Sequence, residues 1–198
     1  VIPMDGDGED RPEEIKLFIE NFNYHPNKTI VGERVKRSES ILFKLCYSFH
    51  KILTYTFTGQ SIKFGNYTCL TKSTIEKMLS DKATWSSFSG SLAKNCNNRA
   101  TIASERGKRY FGPSKMSFLN LIKHSLAIIA VFKFSVLVRS LFFILVYMFL
   151  VYQKISFIMI IPVILVVIFL ISTFVISKRE NLNQIENSLE NIFNIQKF

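Results

Sequence analysis

From Ile155 to Ser177 the chain runs for 23 residues without one charged side chain. As a helix rising ~1.5 Å per residue, that stretch covers about 34 Å, enough to cross a ~30 Å hydrocarbon core. Pro162 falls within its first two turns, where a proline removes the fewest backbone hydrogen bonds or is absorbed as a mild kink. The preceding stretch, Val136 to Tyr152, is shorter and carries Arg139, whose long side chain is able to reach the headgroups. Gln153 and Lys154 leave room only for a tight turn, so residues 136–177 read as a transmembrane helical hairpin with both ends on one side of the bilayer. A helical hairpin buried in a soluble core is the alternative that such apolar runs allow.

Outside this region the texture changes. Residues 1–115 have the mixed composition of a globular domain, within a chain of 198 residues and mean hydropathy +0.20. The formal charge of +10 attracts anions: nucleic acid, an anionic leaflet or phosphate-bearing substrates. Apolar spans in the same chain favour the last two, so no nucleic-acid partner is expected. Lys115, Lys123, Lys133 and Arg139 precede or open the spans and Lys178 and Arg179 follow them, which predicts cytoplasmic placement of both hairpin ends. Cys46, Cys69 and Cys96 lack zinc or disulfide spacing and read as reduced thiols. The chain opens at Val1 with no leader pattern, and further sequence is expected upstream.

Between Ser117 and Phe132, apolar residues recur at helical spacing, with Asn120, Lys123 and His124 at other positions. Residues 117–135 therefore read as an amphipathic helix, either lying on the membrane or packing against the preceding domain. Residues 178–198 read as a polar tail with a weak amphipathic helix through Leu182, Ile185, Leu189 and Ile192.

Two constellations carry chemistry. At the start, Val1, Ile2 and Met4 suggest a strand end leading into Asp5-Gly6-Asp7-Gly8-Glu9-Asp10-Arg11-Pro12-Glu13-Glu14. Asp10 is placed to cap, and Pro12 to open, a following helix whose inward face is Ile15, Leu17, Phe18 and Phe22. Clustered carboxylates at a strand end hold a hard divalent cation, which neutralises a diphosphate leaving group; a solvated acidic turn is the plain alternative. A calcium loop fits poorly, because Lys16 stands where its twelfth-position glutamate belongs. The second constellation is Arg106-Gly107-Lys108-Arg109-Tyr110-Phe111-Gly112-Pro113-Ser114-Lys115. Its arginines suit phosphate oxygens in bidentate fashion and Lys115 adds a compact charge. A lipid-surface patch is the alternative, though one needing neither Gly112 nor Ser114.

In the middle of the chain, Arg34, Lys36, Arg37 and Lys44 open a basic segment, and Ile41, Leu42, Leu45, Phe49, Ile52 and Leu53 give it helical periodicity. A surface helix with a solvated cationic face is the preferred reading. Thr58-Gly59-Gln60 ends it, and Ile62 to Leu70 reads as strand and loop. Trp85 reads either as a core residue, the preferred placement, or as one that stacks on a sugar ring, and Ser86, Ser87, Ser89 and Ser91 read as a serine-rich turn. His25, His50 and His124 do not cluster with carboxylates at metal spacing, and no Walker or dinucleotide glycine fingerprint occurs.

With both constellations in view, the sequence resembles the family 2, GT-A-fold glycosyltransferases related to dolichol-phosphate mannose synthase and the bacterial polyprenyl-phosphate glycosyltransferases. Four features match in order: Asp5-Gly6-Asp7 with Pro12-Glu13-Glu14, Gly65-Asn66-Tyr67 with Leu70 and Lys72, Arg109-x-x-Gly112-x-Ser114-Lys115, and the terminal hairpin. The resemblance implies an α/β fold in which residues 1–116 are the later part of a GT-A domain, the nucleotide-cradling units preceding Val1. It implies an inverting transfer of a sugar from a nucleotide sugar to a polyprenyl phosphate at the cytoplasmic face. Asp5 and Asp7 would hold Mg2+ or Mn2+ and the donor diphosphate. Glu9, where relatives often carry glutamine, would join the metal. Arg106, Arg109, Ser114 and Lys115 would engage phosphates, with Asp7, Arg109 and Lys115 the catalytic set. Asn66 stands where some relatives place an acid; an amide is no base at neutral pH, which suits an acceptor that is already anionic. The basic segment opened by Arg34, Lys36, Arg37 and Lys44 would, by the same resemblance, face the membrane and the acceptor, which stands against its reading as a solvated surface helix. A homo-oligomer is compatible with the pattern. A non-catalytic membrane module that binds anionic lipid or a partner, and an inactive fragment of the transferase, are the competing expectations.

Overall fold

The computed structural model describes residues 1–36, 41–110, 112, 117–154 and 156–179, with backbone alone at 34–36, 41–44 and 154. The architecture is mixed α/β: a three-stranded sheet surrounded by helices, followed by two long apolar helices. The first regular element is a short 3-10 turn at Pro12–Glu14. It leads directly into α1 (Ile15–Tyr24). Strand β1 (Thr29–Lys36) lies at the centre of the sheet. It is antiparallel to β2 (Phe64–Cys69), with Ile30 opposite Cys69, and parallel to β3 (Arg99–Glu105), with Ile30 opposite Ala100. Val1 extends the β2 side, its carbonyl accepting the Leu70 N–H at 2.8 Å, although residues 1–4 do not form the expected regular strand.

Alternation along β1 divides the core in two. On one face Ile30 packs with Phe18 of α1, Tyr67, Cys69 and Ile102, flanked by Ile2, Phe22 and Ala100. Phe18 is fully buried, its ring 4.5 Å from that of Tyr67, a burial that stabilises by about 2–3 kcal/mol. Leu17, expected on the same inward face, is exposed, because α1 makes only a narrow contact with the sheet. On the other face Val31 and Leu70 pack with Met78, Leu92 and Cys96. These come from α3 (Lys72–Ser80) and from the segment after α4 (Ala83–Ser86), namely α5 (Phe88–Asn95) and its C-cap.

Two expectations for this region are corrected. The serine-rich run is helical: Ser87 caps α5, its hydroxyl accepting the Gly90 N–H at 3.2 Å, while Ser89 and Ser91 are buried. Leu92 supplies the apolar anchor that holds this run against the sheet. Trp85 is 46% exposed and belongs to neither core cluster. The three cysteines are free thiols.

Helix α2 (Ile41–Thr58) joins the central strand to its antiparallel neighbour. From Leu45 onward its outward stripe is apolar, with Leu45, Phe49, Ile52 and Tyr55 all more than 60% exposed; the side chains of Arg34, Lys36, Arg37 and Lys44, on which the expected cationic face rests, lie outside the described residues. Its other side turns Thr54 and Thr58 inward and sets Phe57 against Phe143 and Phe169, with centroids 5.6 and 4.8 Å apart. Phe143 belongs to α7 (Lys133–Val151) and Phe169 to α8 (Phe157–Ser177).

Both α7 and α8 are long and apolar enough to cross a membrane, and only 11% and 6% of their most apolar windows are buried. A hairpin buried in a soluble core would show the reverse. The helix before Tyr152 starts at Lys133 rather than Val136, and a short 3-10 turn at Tyr152–Lys154 makes the connection. Close packing near the other end of the hairpin uses small side chains: Ser140 of α7 and Thr173 of α8 are fully buried, as small residues permit between apolar helices. Arg139 donates to the Thr56 carbonyl at 3.1 Å, so its charge caps the C-terminus of α2 rather than reaching freely for headgroups.

Helix α6 (Phe118–Ala130) divides between the two expectations made for it. Its last turn, Ala127 to Ala130, is buried against neighbouring helices, whereas Phe118, Leu119 and Ile122 of its first turns are exposed. His124 of α6 and His50 of α2 lie near each other; burial first, and the His124 charge second, hold His50 below its ordinary pKa. The expected tail helix lies outside the described residues.

Candidate functional site

The acidic turn and the basic loop are about a hundred residues apart in sequence and meet at the end of β3. The positioning starts in the core. Tyr67, packed on Phe18, donates its hydroxyl proton to the Arg11 carbonyl at 2.6 Å and ties the end of the acidic turn to β2. Burial, then the charges of Glu14, Asp10 and Glu13, push the Tyr67 phenol up to about 12, so it remains a donor at any ordinary pH. Glu14 reaches across to β3, accepting from the Ser104 hydroxyl at 2.6 Å and the Glu105 N–H at 2.9 Å. Arg11 adds an ion pair to Glu105 at 3.6 Å. These three contacts bring residues 5–10 beside the chain leaving β3.

Within the turn, the Asp5 N–H donates to Asp10 Oδ2 and the Glu9 N–H to Asp7 Oδ1, both at 3.0 Å. Asp10 thus closes the acidic turn instead of capping the helix; Arg11 holds the N-cap position and makes no side-chain cap. Two main-chain bonds fasten the loop to the turn: Gly107 N–H to the Glu9 carbonyl at 2.8 Å and Tyr110 N–H to the Asp7 carbonyl at 2.9 Å. Glycine is required on both sides of this joint. Gly8 has φ +87°, and a Cβ there would sit 2.9 Å from the Tyr110 ring, while a Cβ on Gly107 would collide with the Gly8 carbonyl.

The side chains continue the zipper. Glu9 is nearly buried and gives each carboxylate oxygen to a different arginine: Oε2 pairs with Arg106, and Oε1 accepts from Arg109 Nε at 2.6 Å. Arg109 also faces Asp7 Oδ2 at 3.3 Å. Burial alone would raise the Glu9 pKa, but the hydrogen bonds and charges of Arg109 and Arg106 outweigh it and hold the carboxyl below its usual value. Arg109 is raised in turn, first by its bond to Glu9 and then by the charges of Glu9, Asp7 and Asp5.

A depressed carboxyl pKa contributes stability that is present above the unfolded value and lost as pH falls through the folded one. The pairing of Glu9 with Arg109 and Arg106 is therefore expected to survive titration through the ordinary carboxylate range and to break only below it. The Glu9 side-chain carboxyl resonance, followed from about pH 6 to about pH 3, measures this. A transition centred at or above the ordinary glutamate value would contradict the pairing.

The expected site residues thus divide into three groups. Asp5, Asp7, Glu9, Arg106 and Arg109 come together at the joint. Asn66 lies exposed on β2. Ser114 and Lys115 lie outside the described residues. The sequence reading missed Tyr67 and Glu14 as positioning groups; the pair Glu13-Glu14 after a proline was the available signal, but nothing local told which carboxylate would turn toward β3.

For a divalent metal, Asp5 and Asp7 offer oxygen donors of suitable chemistry. Glu9 does not: both of its oxygens are committed to guanidiniums. Among the described residues no three His, Cys, Asp or Glu side chains gather as a metal set. The expected three-carboxylate site at Asp5, Asp7 and Glu9 does not fit this arrangement.

Two clefts occur apart from the joint, neither lined by its residues. A polar one of about 290 Å³ lies on the Val31 face of the sheet, lined by Glu33, Lys63, Phe64 and Arg99 among others. An apolar one, also about 290 Å³, opens among α2, α7 and α8, lined by Thr56, Phe57, Phe143, Tyr147, Pro162 and Val166 among others. Comparison with known proteins returns no match: no family model, no curated protein and no solved structure matches the chain.

Proposed function

We propose that this chain is part of a membrane-bound inverting glycosyltransferase that moves a sugar from a nucleotide sugar to a polyprenyl phosphate, on the cytoplasmic face of the membrane. The observation that carries the reading is the joint itself. A loop with two arginines is docked on a carboxylate turn by main-chain bonds, in a chain with two long, exposed apolar helices. Phosphate chemistry uses positioned guanidiniums to stabilise charge as it develops on a departing oxygen. The apolar cleft among α2, α7 and α8 supports a prenyl chain as the acceptor's anchor, and the outward stripe of α2 supports contact with the bilayer surface.

In this reading a phosphate oxygen of the acceptor forms the new bond to the anomeric carbon. The bond from that carbon to the donor diphosphate breaks with its electron pair leaving on the diphosphate, and the configuration inverts. Arg106 and Arg109 bind the diphosphate, and Asp7 keeps Arg109 oriented. The acceptor phosphate is already ionised, so an amide at Asn66 is no obstacle.

The test is transfer from a panel of nucleotide sugars to polyprenyl phosphate, in membranes carrying the protein at its full natural length, with Mg2+ or Mn2+ supplied. Product is expected, and Arg109→Ala is expected to lower transfer about tenfold or more through loss of charge-assisted hydrogen bonds. Absence of product with every donor would overturn the reading. The apolar stripe on α2 equally favours a second reading, a non-catalytic module that binds lipid. That module would bind liposomes unchanged by Asp5→Asn and Asp7→Asn and would give no sugar product.

A further inference from the structure

At the joint, three carboxylates act on two guanidiniums: Asp5, Asp7 and Glu9 against Arg106 and Arg109. Counted as unit charges, the arrangement is negative by one before a ligand arrives. An anion does not add to such a site; it displaces a carboxylate or brings a cation with it. Glu9 holds the place an anion would take, because it bridges the two arginines with one oxygen each. Asp7 is differently placed, with Oδ1 turned to the Glu9 N–H and only Oδ2 toward Arg109.

We infer that Glu9 is an internal competitor for the anion seat on Arg106 and Arg109, displaced by a diphosphate but poorly by a single phosphate group. The inference rests on the reading of these arginines as phosphate-binding groups. The bridge explains the selectivity. Replacing a carboxylate that serves two guanidiniums requires oxygens for both and more charge than the carboxylate supplies; a diphosphate has both in surplus. The loop itself need not undock, because Gly107 and Tyr110 are held by the main-chain carbonyls of Glu9 and Asp7, not by the Glu9 side chain. The glutamate can leave the arginines while the zipper beneath stays closed.

Titration of the full chain with pyrophosphate and with inorganic phosphate, in nanodiscs of zwitterionic lipid at neutral pH, tests this. With the glutamate carboxyls labelled, pyrophosphate should shift the Glu9 side-chain resonance while the Gly107 and Tyr110 amides keep theirs. Phosphate should bind at least about tenfold more weakly, and Glu9→Gln should tighten both anions about tenfold, phosphate the more. An unmoved Glu9 resonance at saturating pyrophosphate would sink the idea without reliance on any variant, as would weaker anion binding in Glu9→Gln or no pyrophosphate binding at all. A nucleoside diphosphate in solution and a prenyl diphosphate in the disc separate the two sources of ligand: whichever moves Glu9 is the occupant, and failure of both overturns the diphosphate preference. Sugar transfer is scored separately. Transfer with Glu9 unmoved would leave the transferase standing and remove the competitor; displacement without transfer would do the reverse.

Discussion

Arginines placed at Leu165 and Ile168 together are expected to release the chain from membranes under alkaline carbonate extraction. Both positions lie near the middle of α8 and are exposed, at 60% and 53%. Exchanging an aliphatic residue for arginine at the centre of a spanning helix costs about 3–4 kcal/mol each, so the pair costs about 6–8 kcal/mol. Snorkelling offers little relief so far from either end. The control is Leu79→Arg on α3, which is 77% exposed in the α/β part and should leave extraction unchanged. If the double variant stays with the membrane pellet, anchoring does not depend on α8, and α7, itself long and apolar enough to cross, is the next place to look.

Phe18→Ala is expected to destabilise the α/β part by about 3–5 kcal/mol, the range for emptying a fully buried aromatic site. In a unit of this size that lowers the thermal midpoint by roughly 12 °C or more. The effect should reach the joint, because Phe18 supports the Tyr67 ring, Tyr67 holds Arg11, and Arg11 ends the acidic turn. Near-ultraviolet circular dichroism on heating reads the first consequence, and the Gly107 and Tyr110 amide shifts read the second. Phe18→Leu should lose far less on both. A Phe18→Ala protein with an unchanged midpoint would mean that the core on this face of the sheet is not what positions the acidic turn.

Elements governed by a long, one-sided composition were legible before any fold was known. The uncharged run through Ser177 made α8 predictable because a helix of that length and hydropathy has few other environments. The strand at Phe64–Cys69 and the helix before Gly59 followed from local periodicity. Failures came where one local pattern admits two tertiary environments. Ser86 to Ser91 read as a turn because serine competes for backbone hydrogen bonds, yet Leu92 buried against the sheet decided for helix. Trp85 has core as its preferred reading yet lies half exposed, and the apolar stripe of α2 stood behind the flanking cations in the sequence.

The same division runs through the candidate site. Sequence by itself determined that a carboxylate turn, an arginine loop and an apolar hairpin occur in one chain, since charge and hydropathy are properties of residues wherever they lie. Only the tertiary structure decided which charges neutralise which. Glu9, read from sequence beside the aspartates as a metal ligand, is the group that bridges Arg106 and Arg109. Asp10, read as a helix cap, closes the turn on the Asp5 amide. A carboxylate takes the strongest donor within about 3 Å. Which donor that is depends on β3 delivering residues 106–110 to the acidic turn, a non-local event that no local pattern records.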